Sequence, residues 1–449
     1  MRRSRTIGGA AAALAAVALL AGCSSAGGSS RGTPVPPTAE TGSSDLVQRP
    51  LGVPDGMERA PYDRERTVTL PEGWTAALWA RVDGARLAVW SPDDRLLVSR
   101  PDAGDVQLLT PRSDGAASPR VTTLVDGLTR PHGLAFHDGR LYVASSDRVD
   151  SWSYAGGRLA DRRPVITGLP DGSTPELRGA YAHALKSVVV ADDGTVYVSV
   201  GSTGNVSPED READPERASI LRVEDGRAST FARGVRNGTG LAIAPDGSVW
   251  TAVNHRDRVP YPYADGWLEQ GAVDQRYVND HPMEQVARLT EGRDLGWPYC
   301  DPQPDVDPGE QGSALDYSDR PFVRDVETNA DGSELDCGSL PSTEQGLPAH
   351  SAPLGMTFAE DGSLPETLGA GALIGVHGSW NRNPPREPRV VFMPWRDGGL
   401  GDARTLLGGF QLSDGSRWGR PVAAVPGPDG AVYVTDDEAG AVYRMVPPA

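Results

Sequence analysis

The chain has one lysine, Lys186, among 43 basic residues, and 61 acidic residues bring its formal net charge to −18. No basic run breaks that field in the mature part. A nucleic-acid partner is therefore not expected, because phosphate backbones are held by clustered cations working with the protein's field rather than against it. The near-complete use of arginine reads as compositional bias rather than mechanism. Helix-favouring composition is scarce too: 54 Gly and 39 Pro in 449 residues, with 38% apolar side chains, describe a turn-rich, β-rich globular protein.

Cysteine is the next scarcity, with three in the chain. Cys23 closes a leader: Arg2, Arg3 and Arg5 form a basic start, Ile7 to Leu20 is a short Ala-rich apolar stretch, and Leu20-Ala21-Gly22-Cys23 follows. This resembles a bacterial lipoprotein signal. The resemblance implies a signal peptide over 1–22, acylation of the Cys23 sulfur, and an extracytoplasmic protein held at the cell membrane by its lipid alone. Arg2-Arg3 also fits twin-arginine export. Residues from Ser24 to Ser44 are Ser/Gly/Thr/Pro-rich and too poor in apolar groups to fold, and a flexible tether is expected over 23–66, with one folded domain over 67–449. Only Cys300 and Cys337 then remain. Two thiols in an oxidising location point to a disulfide that staples a loop, and a zinc site would need more ligands.

What the sequence does have is a repeated turn. Pro92-Asp93-Asp94, His137-Asp138-Gly139, Asp192-Asp193-Gly194, Pro245-Asp246-Gly247, Glu360-Asp361-Gly362 and Pro428-Asp429-Gly430 each separate two apolar, β-branched runs, as in Val188-Val189-Val190 and Val196-Tyr197-Val198-Ser199-Val200. The aspartates at 93, 138, 193 and 246 are 45, 55 and 53 residues apart, the length of a four-stranded blade with its loops. A two-sheet sandwich would show turns every 8 to 12 residues without a longer period. The expectation is an all-β, six-bladed β-propeller with few helices. Between the fourth and fifth turns the interval swells to 115 residues, predicting a long insertion over roughly 254–350. The strand near Val442 to Met445 is expected to close the ring against the N-terminal part.

Candidate chemistry sits at the strand ends. His183 precedes a strand, where an unprotonated imidazole can take a proton from a hydroxyl near neutral pH, and Gly201-Ser202-Thr203-Gly204-Asn205 brings small polar groups to the same rim. Arg236-Asn237 offers a planar fork and an amide for a carboxylate or quinone oxygen. Asn254-His255-Arg256-Asp257 is a loop whose carbonyl and carboxylate oxygens suit Ca2+ better than Zn2+. Arg382, in His377-Gly378-Ser379-Trp380-Asn381-Arg382, and Arg420, in Trp418-Gly419-Arg420-Pro421, add cations to an acidic protein and so favour an anionic ligand. Each motif alone has an ordinary reading as a structural histidine, a surface arginine or a solvated acidic loop.

Together, AHALKSVVVADDGTVYVSVGS, ARGVRNGTGLAIAPDG, GWPYC, HSAPLGMTF, GVHGSWNRNPP and GRPVAAVPGPDGAVYVTDD resemble the soluble pyrroloquinoline quinone (PQQ)-dependent glucose/sorbosone dehydrogenase family, over about Thr67 to Met445. The resemblance implies a six-bladed propeller with PQQ and Ca2+ in a central cleft. His183 falls on the general base that takes the proton of the sugar's anomeric hydroxyl as hydride moves to the quinone. Arg236, Asn237 and Arg420 fall on cofactor-contacting positions, and Arg382 lies in a region where some members use lysine. His255 and Arg256 fall near the positions whose backbone carbonyls bind Ca2+. The expected partners are a sugar and an electron acceptor that the sequence does not identify.

Two positions depart from the family. Ser202 stands where glucose-oxidising members have an aspartate paired with the base, and His255 stands where sorbosone-like members tend to have Glu. Two alternatives follow: a catalytically degenerate propeller that binds carbohydrate or a protein partner, and a metal-dependent lactonase-type propeller. The second would need carboxylates and Asn converging on Ca2+ from several blades.

Overall fold

A computed structural model describes residues 45–112 and 118–448. The expected signal peptide, Cys23 and the first part of the expected tether lie outside the described residues. The folded part is a ring of six sheets of four or five strands, antiparallel except where Arg293–Asp294 adds a parallel strand to the third, as the repeat of turns predicts. The first blade runs Ala88–Trp90, Leu96–Arg100, Asp105–Thr110, Arg120–Val125, and the second starts at Gly133–His137. The sixth is Pro421–Pro426, Val432–Asp436 and Ala441–Val446, with Thr75–Arg81 as its outermost strand. Six register pairs, from Thr75 with Val446 to Arg81 with Ala441 and interrupted by one bulge at Trp79, tie the start of the domain to its end. That pairing closes the ring by joining the last strands of the chain to the first strand of the domain.

The repeated turn joins the first two strands of every blade, and its chemistry is local. Gly139, Gly194, Gly247, Gly362 and Gly430 occupy the left-handed region, and Asp94 takes it at φ 59° in the first copy. Aspartate is among the few residues with a side chain that tolerate this conformation, so the copy lacking glycine still turns. The core is divided rather than central. Six apolar clusters fill the six gaps between neighbouring blades, as where Ala144 and Val149 of the second meet Val188, Val198 and Val200 of the third. An axial cavity of about 590 Å3 is lined by the innermost strand of each blade, Val89, Ala135, Val189, Ala242, Met356 and Ala423 among them.

Two boundaries differ from expectation. The insertion is not one excursion. Glu284–Leu289 and Gln345–Leu347 return to the fourth sheet as its third and fourth strands, dividing 254–350 into two loops. The first carries its own apolar cluster of Val259, Tyr261, Leu268, Tyr277 and Val278, and the short helix Gln275–Val278. The second carries the expected disulfide between Cys300 and Cys337.

The tether, too, does not extend to residue 66. Leu46–Pro50 pairs antiparallel with Thr67–Pro71, and Leu51 and Tyr62 are buried in the cluster between the fifth and sixth blades. The Tyr62 hydroxyl lies 2.7 Å from that of Tyr443, which donates to Asp436. An aromatic ring with a satisfied hydroxyl recovers enough apolar area to hold a polar, Pro-rich segment in place. Tyr62→Ala is therefore expected to destabilise the domain by about 3–5 kcal/mol in urea unfolding, whereas a tether residue would leave the midpoint unchanged.

Candidate active site

The first strand of each blade begins, and the second ends, at the end of the ring opposite the turn that joins them. All the candidate residues next to these strand ends therefore share one face. His183 precedes Val188–Val190 and Ser202 follows Val196–Val200, so antiparallel pairing of those strands brings the two together. His183 Nδ1 lies 2.9 Å from Ser202 Oγ and 3.1 Å from Ser202 O. Ser202 Oγ donates to the Gly204 carbonyl at 2.7 Å, so toward the histidine it can only accept. The proton thus resides on Nδ1, and Nε2 carries the free lone pair. Burial and the nearby Arg236 pull the imidazole down from 6.5 to about 3, against the opposing pull of the Ser202 hydrogen bond. His183 is therefore unprotonated at neutral pH, with no carboxylate beside it to stabilise its charged form.

Arg236 and Asn237 part company. Arg236 is buried, and its Nη1 donates to the carbonyls of Asn254 (3.0 Å) and His255 (2.7 Å), its Nη2 to Asn205 Oδ1 (2.9 Å), and its Nε to Asn205 O (3.2 Å). The fork expected to face a ligand is turned into the protein, where it braces the loops of the third and fourth blades. Burial lowers its pKa to about 10, so it remains a cation. Its own carbonyl accepts from Ser202 N at 2.7 Å, which links the brace to the histidine. Asn237 holds Asn254 N through its carbonyl, and its side-chain amide has no protein partner among the described residues. That amide is free for a ligand.

The loop 254–257 is also turned inward. The His255 carbonyl already accepts from Arg236, and a cation on that oxygen would sit against a guanidinium 2.7 Å away. His255 therefore fits Ca2+ poorly. The Arg256 carbonyl accepts no protein hydrogen bond among the described residues and suits an oxygen-seeking cation. The Arg256 side chain points away, into Asp325 and Glu327 of the second excursion. Arg382 is likewise committed elsewhere, donating to Asn279 O and Pro384 O, and so docks its loop on the first excursion rather than facing the cleft.

Arg420 lies where a cofactor-contacting cation is expected. It lines a cleft of about 320 Å3 with Arg86, Arg130, His377, Asp437 and Leu185, two residues on from His183. Its Nε and Nη2 hold the carbonyls of His377 and Gly378. His377 Nε2 meets Asp437 at 2.8 Å, and Arg86 Nη1 meets the other oxygen of that carboxylate at 2.7 Å. Both partners hold the Asp437 carboxyl well below the usual carboxylate range. Arg86, Arg130 and Asp437 escape sequence reasoning because each sits outside a recurrent motif or inside the turn-flanking VTDD run, with partners far away in the chain. Asp102 and Glu438 line the same cleft, so three arginines stand among three carboxylates there, and the guanidinium donors left unengaged suit a ligand's carboxylates. The carboxylates of PQQ, a tricarboxylate, suit the guanidiniums of Arg420, Arg86 and Arg130 in that cleft. Among the described residues no three His, Cys, Asp or Glu side chains converge as a metal cluster, which is the donor set a lactonase-type centre would need.

Residues 68–447 match the family described as TrAA12-like. The chain is 26% identical over 366 residues to a pyrroloquinoline quinone-dependent pyranose dehydrogenase of Coprinopsis cinerea, a match covering 70% of this chain and 45% of that protein. It thus spans about half the length of that curated relative. Its fold is similar to the holo form of the pyranose dehydrogenase PQQ domain from Coprinopsis cinerea, at TM-score 0.68 and 20% identity, covering 85% of this chain and 97% of the other. It is similar also to the calcium structure of Trichoderma reesei Carbohydrate-Active Enzymes Family AA12, at TM-score 0.68 and 20% identity, covering 84% and 96%.

Because His183 is held well below 6.5, the acid limb of kcat/KM is expected well below the pH at which a free imidazole titrates. In Ser202→Asp a carboxylate would favour the imidazolium and raise its pKa, moving that limb to higher pH. A pH profile of both proteins checks this, and coincident limbs would remove His183 from the titration.

Proposed function

We propose that this chain, which belongs to the TrAA12-like family, oxidises the anomeric carbon of an aldose or related pyranose with PQQ as the electron acceptor of the first step. The observation that carries the reading is the His183 pair: a tautomer fixed by Ser202, with the Nε2 lone pair left without a protein partner, on the face that also holds the arginine-lined cleft. The relatives' pyranose dehydrogenase and PQQ-domain names support it.

Bound PQQ would supply a quinone carbonyl able to take hydride from the sugar carbon. The chain's own residues do the rest. Arg420, Arg86 and Arg130 hold carboxylates by charge-assisted hydrogen bonds, and Asn237 offers a neutral donor and acceptor. His183 Nε2 accepts the proton of the anomeric hydroxyl, while Nδ1–H stays on Ser202 and keeps the ring from turning. Lacking a carboxylate partner, His183 is a weak base, and the proton must move as the hydride departs rather than before it. A calcium ion, named for the Trichoderma relative, would take the Arg256 carbonyl and not that of His255. An oxidoreductase of this kind passes its electrons to a separate acceptor, and export with acylation of Cys23 would place it at the cell surface.

The test is reconstitution of the protein with PQQ and Ca2+, scored by dye reduction over a panel of aldoses. Turnover with at least one pyranose is expected, and His183→Ala should lower kcat by roughly 10²–10⁴-fold while leaving PQQ affinity intact. PQQ binding without turnover would favour the degenerate propeller. Replacing Cys23 with alanine should release the protein from the membrane fraction into the soluble one.

A further inference from the structure

Lys186 is the chain's one lysine, and it is fully buried three residues beyond His183. Its Nζ donates to the Ala184 carbonyl at 2.9 Å and lies 4.9 Å from the centroid of the Tyr181 ring. It forms no ion pair among the described residues. Burial draws its pKa from 10.5 down to about 7, against the longer-range pull of Asp171 and Asp147. A buried amine without a paired carboxylate is costly, and an apolar side chain of similar length would fill the same space at less expense. The surroundings show what the amine does there. The Tyr181 hydroxyl donates to Gly201 O at 2.8 Å, Ala182 N donates to Thr203 O, and His183 N donates to Ser202 O. The segment 181–184 is thus laid along 201–203. The fit is close enough that a Cβ on Gly201 would meet His183 Cβ at 2.6 Å. Lys186 grips the far side of this pairing twice, once at the Ala184 carbonyl and once on the face of the tyrosine whose hydroxyl holds Gly201.

We propose that Lys186 is a positioning residue for the base: through the Ala184 carbonyl and the Tyr181 ring it holds the 181–186 turn against residues 201–203, so that His183 Nδ1 stays on Ser202 and Nε2 stays open. The inference rests on the reading of His183 as the base. It assigns to Lys186 the orienting role that a carboxylate beside the histidine would otherwise fill. Lys186 itself touches neither substrate nor cofactor.

The test is Lys186→Met in the full protein, which keeps the buried volume and removes both contacts, with Tyr181→Phe as a second variant that cuts only the bond to Gly201. The expected result for K186M is a Tm equal to or above that of the parent and an unchanged PQQ affinity. Nitrogen-15 NMR of labelled histidines, with His183 assigned through His183→Gln, should show loss of its single Nδ1–H tautomer, and kcat should fall roughly 10–100-fold with KM nearly constant. Y181F should show the same change in tautomer, and Lys186→Leu, which likewise removes both contacts, decides the matter if K186M does not fold. Unchanged His183 resonances in a folded variant would overturn the proposal, as would a kcat equal to the parent's. The tautomer is read without sugar or cofactor. A chain that oxidised no sugar would sink the proposed function yet leave this test decisive.

Discussion

The Arg236 guanidinium holds the working face of the ring together. Four hydrogen bonds from one buried cation gather Asn205 from the end of the third blade and the carbonyls of Asn254 and His255 from the fourth. Its own carbonyl receives Ser202 N, so the residue that fixes the His183 tautomer is anchored to the same brace. A buried guanidinium is stable only when its donors are met, and here carbonyls and an amide meet them. Asp257 lies just beyond, 3.9 Å from Nη2. Removing the guanidinium would free three loops at once and leave buried acceptors unpaired.

Around that brace the face divides its labour. The third and fourth blades present a proton acceptor and a free amide, and the sixth, first and second present arginines. The base side leaves His183 without a carboxylate partner and near the buried Arg236, and the opposite side sets three arginines among Asp102, Asp437 and Glu438. Asp437 is not a free counter-ion, because His377 and Arg86 engage its two oxygens. An anionic ligand would meet Arg420 with Asp437 already engaged but would still face Asp102 and Glu438.

Much of the fold was legible because its signal is local. Each blade needs one left-handed residue between its first two strands, and Asp-Gly or Asp-Asp marks that place without reference to the rest of the chain. Those turns lie at the end of the ring opposite the site, so the feature that revealed the fold takes no part in the chemistry. His183, Asn237 and Arg420 could be placed because strand ends converge in an antiparallel pair. The direction in which Arg236 and Arg382 point was not legible, since their acceptors are carbonyls, which any residue supplies. Glu284–Leu289 was hidden within the insertion for a similar reason. Its Glu284 and Gln285 are buried on backbone and side-chain partners distant in sequence, such as His255 N and Thr343, and so break the apolar pattern expected of an inner strand. Tyr62 was a lone aromatic in polar surroundings, and its partner Tyr443 lies at the far end of the chain.

The central claim is that the cleft beside Arg420 holds a polycarboxylate quinone within reach of the base. Equilibrium titration of the protein with PQQ, followed by absorbance or calorimetry, tests it most directly. Saturation at one quinone per chain, with affinity falling roughly tenfold or more in Arg420→Ala as a charge-assisted contact is lost, is the predicted result. Absence of saturable binding, or binding indifferent to Arg420, would contradict it.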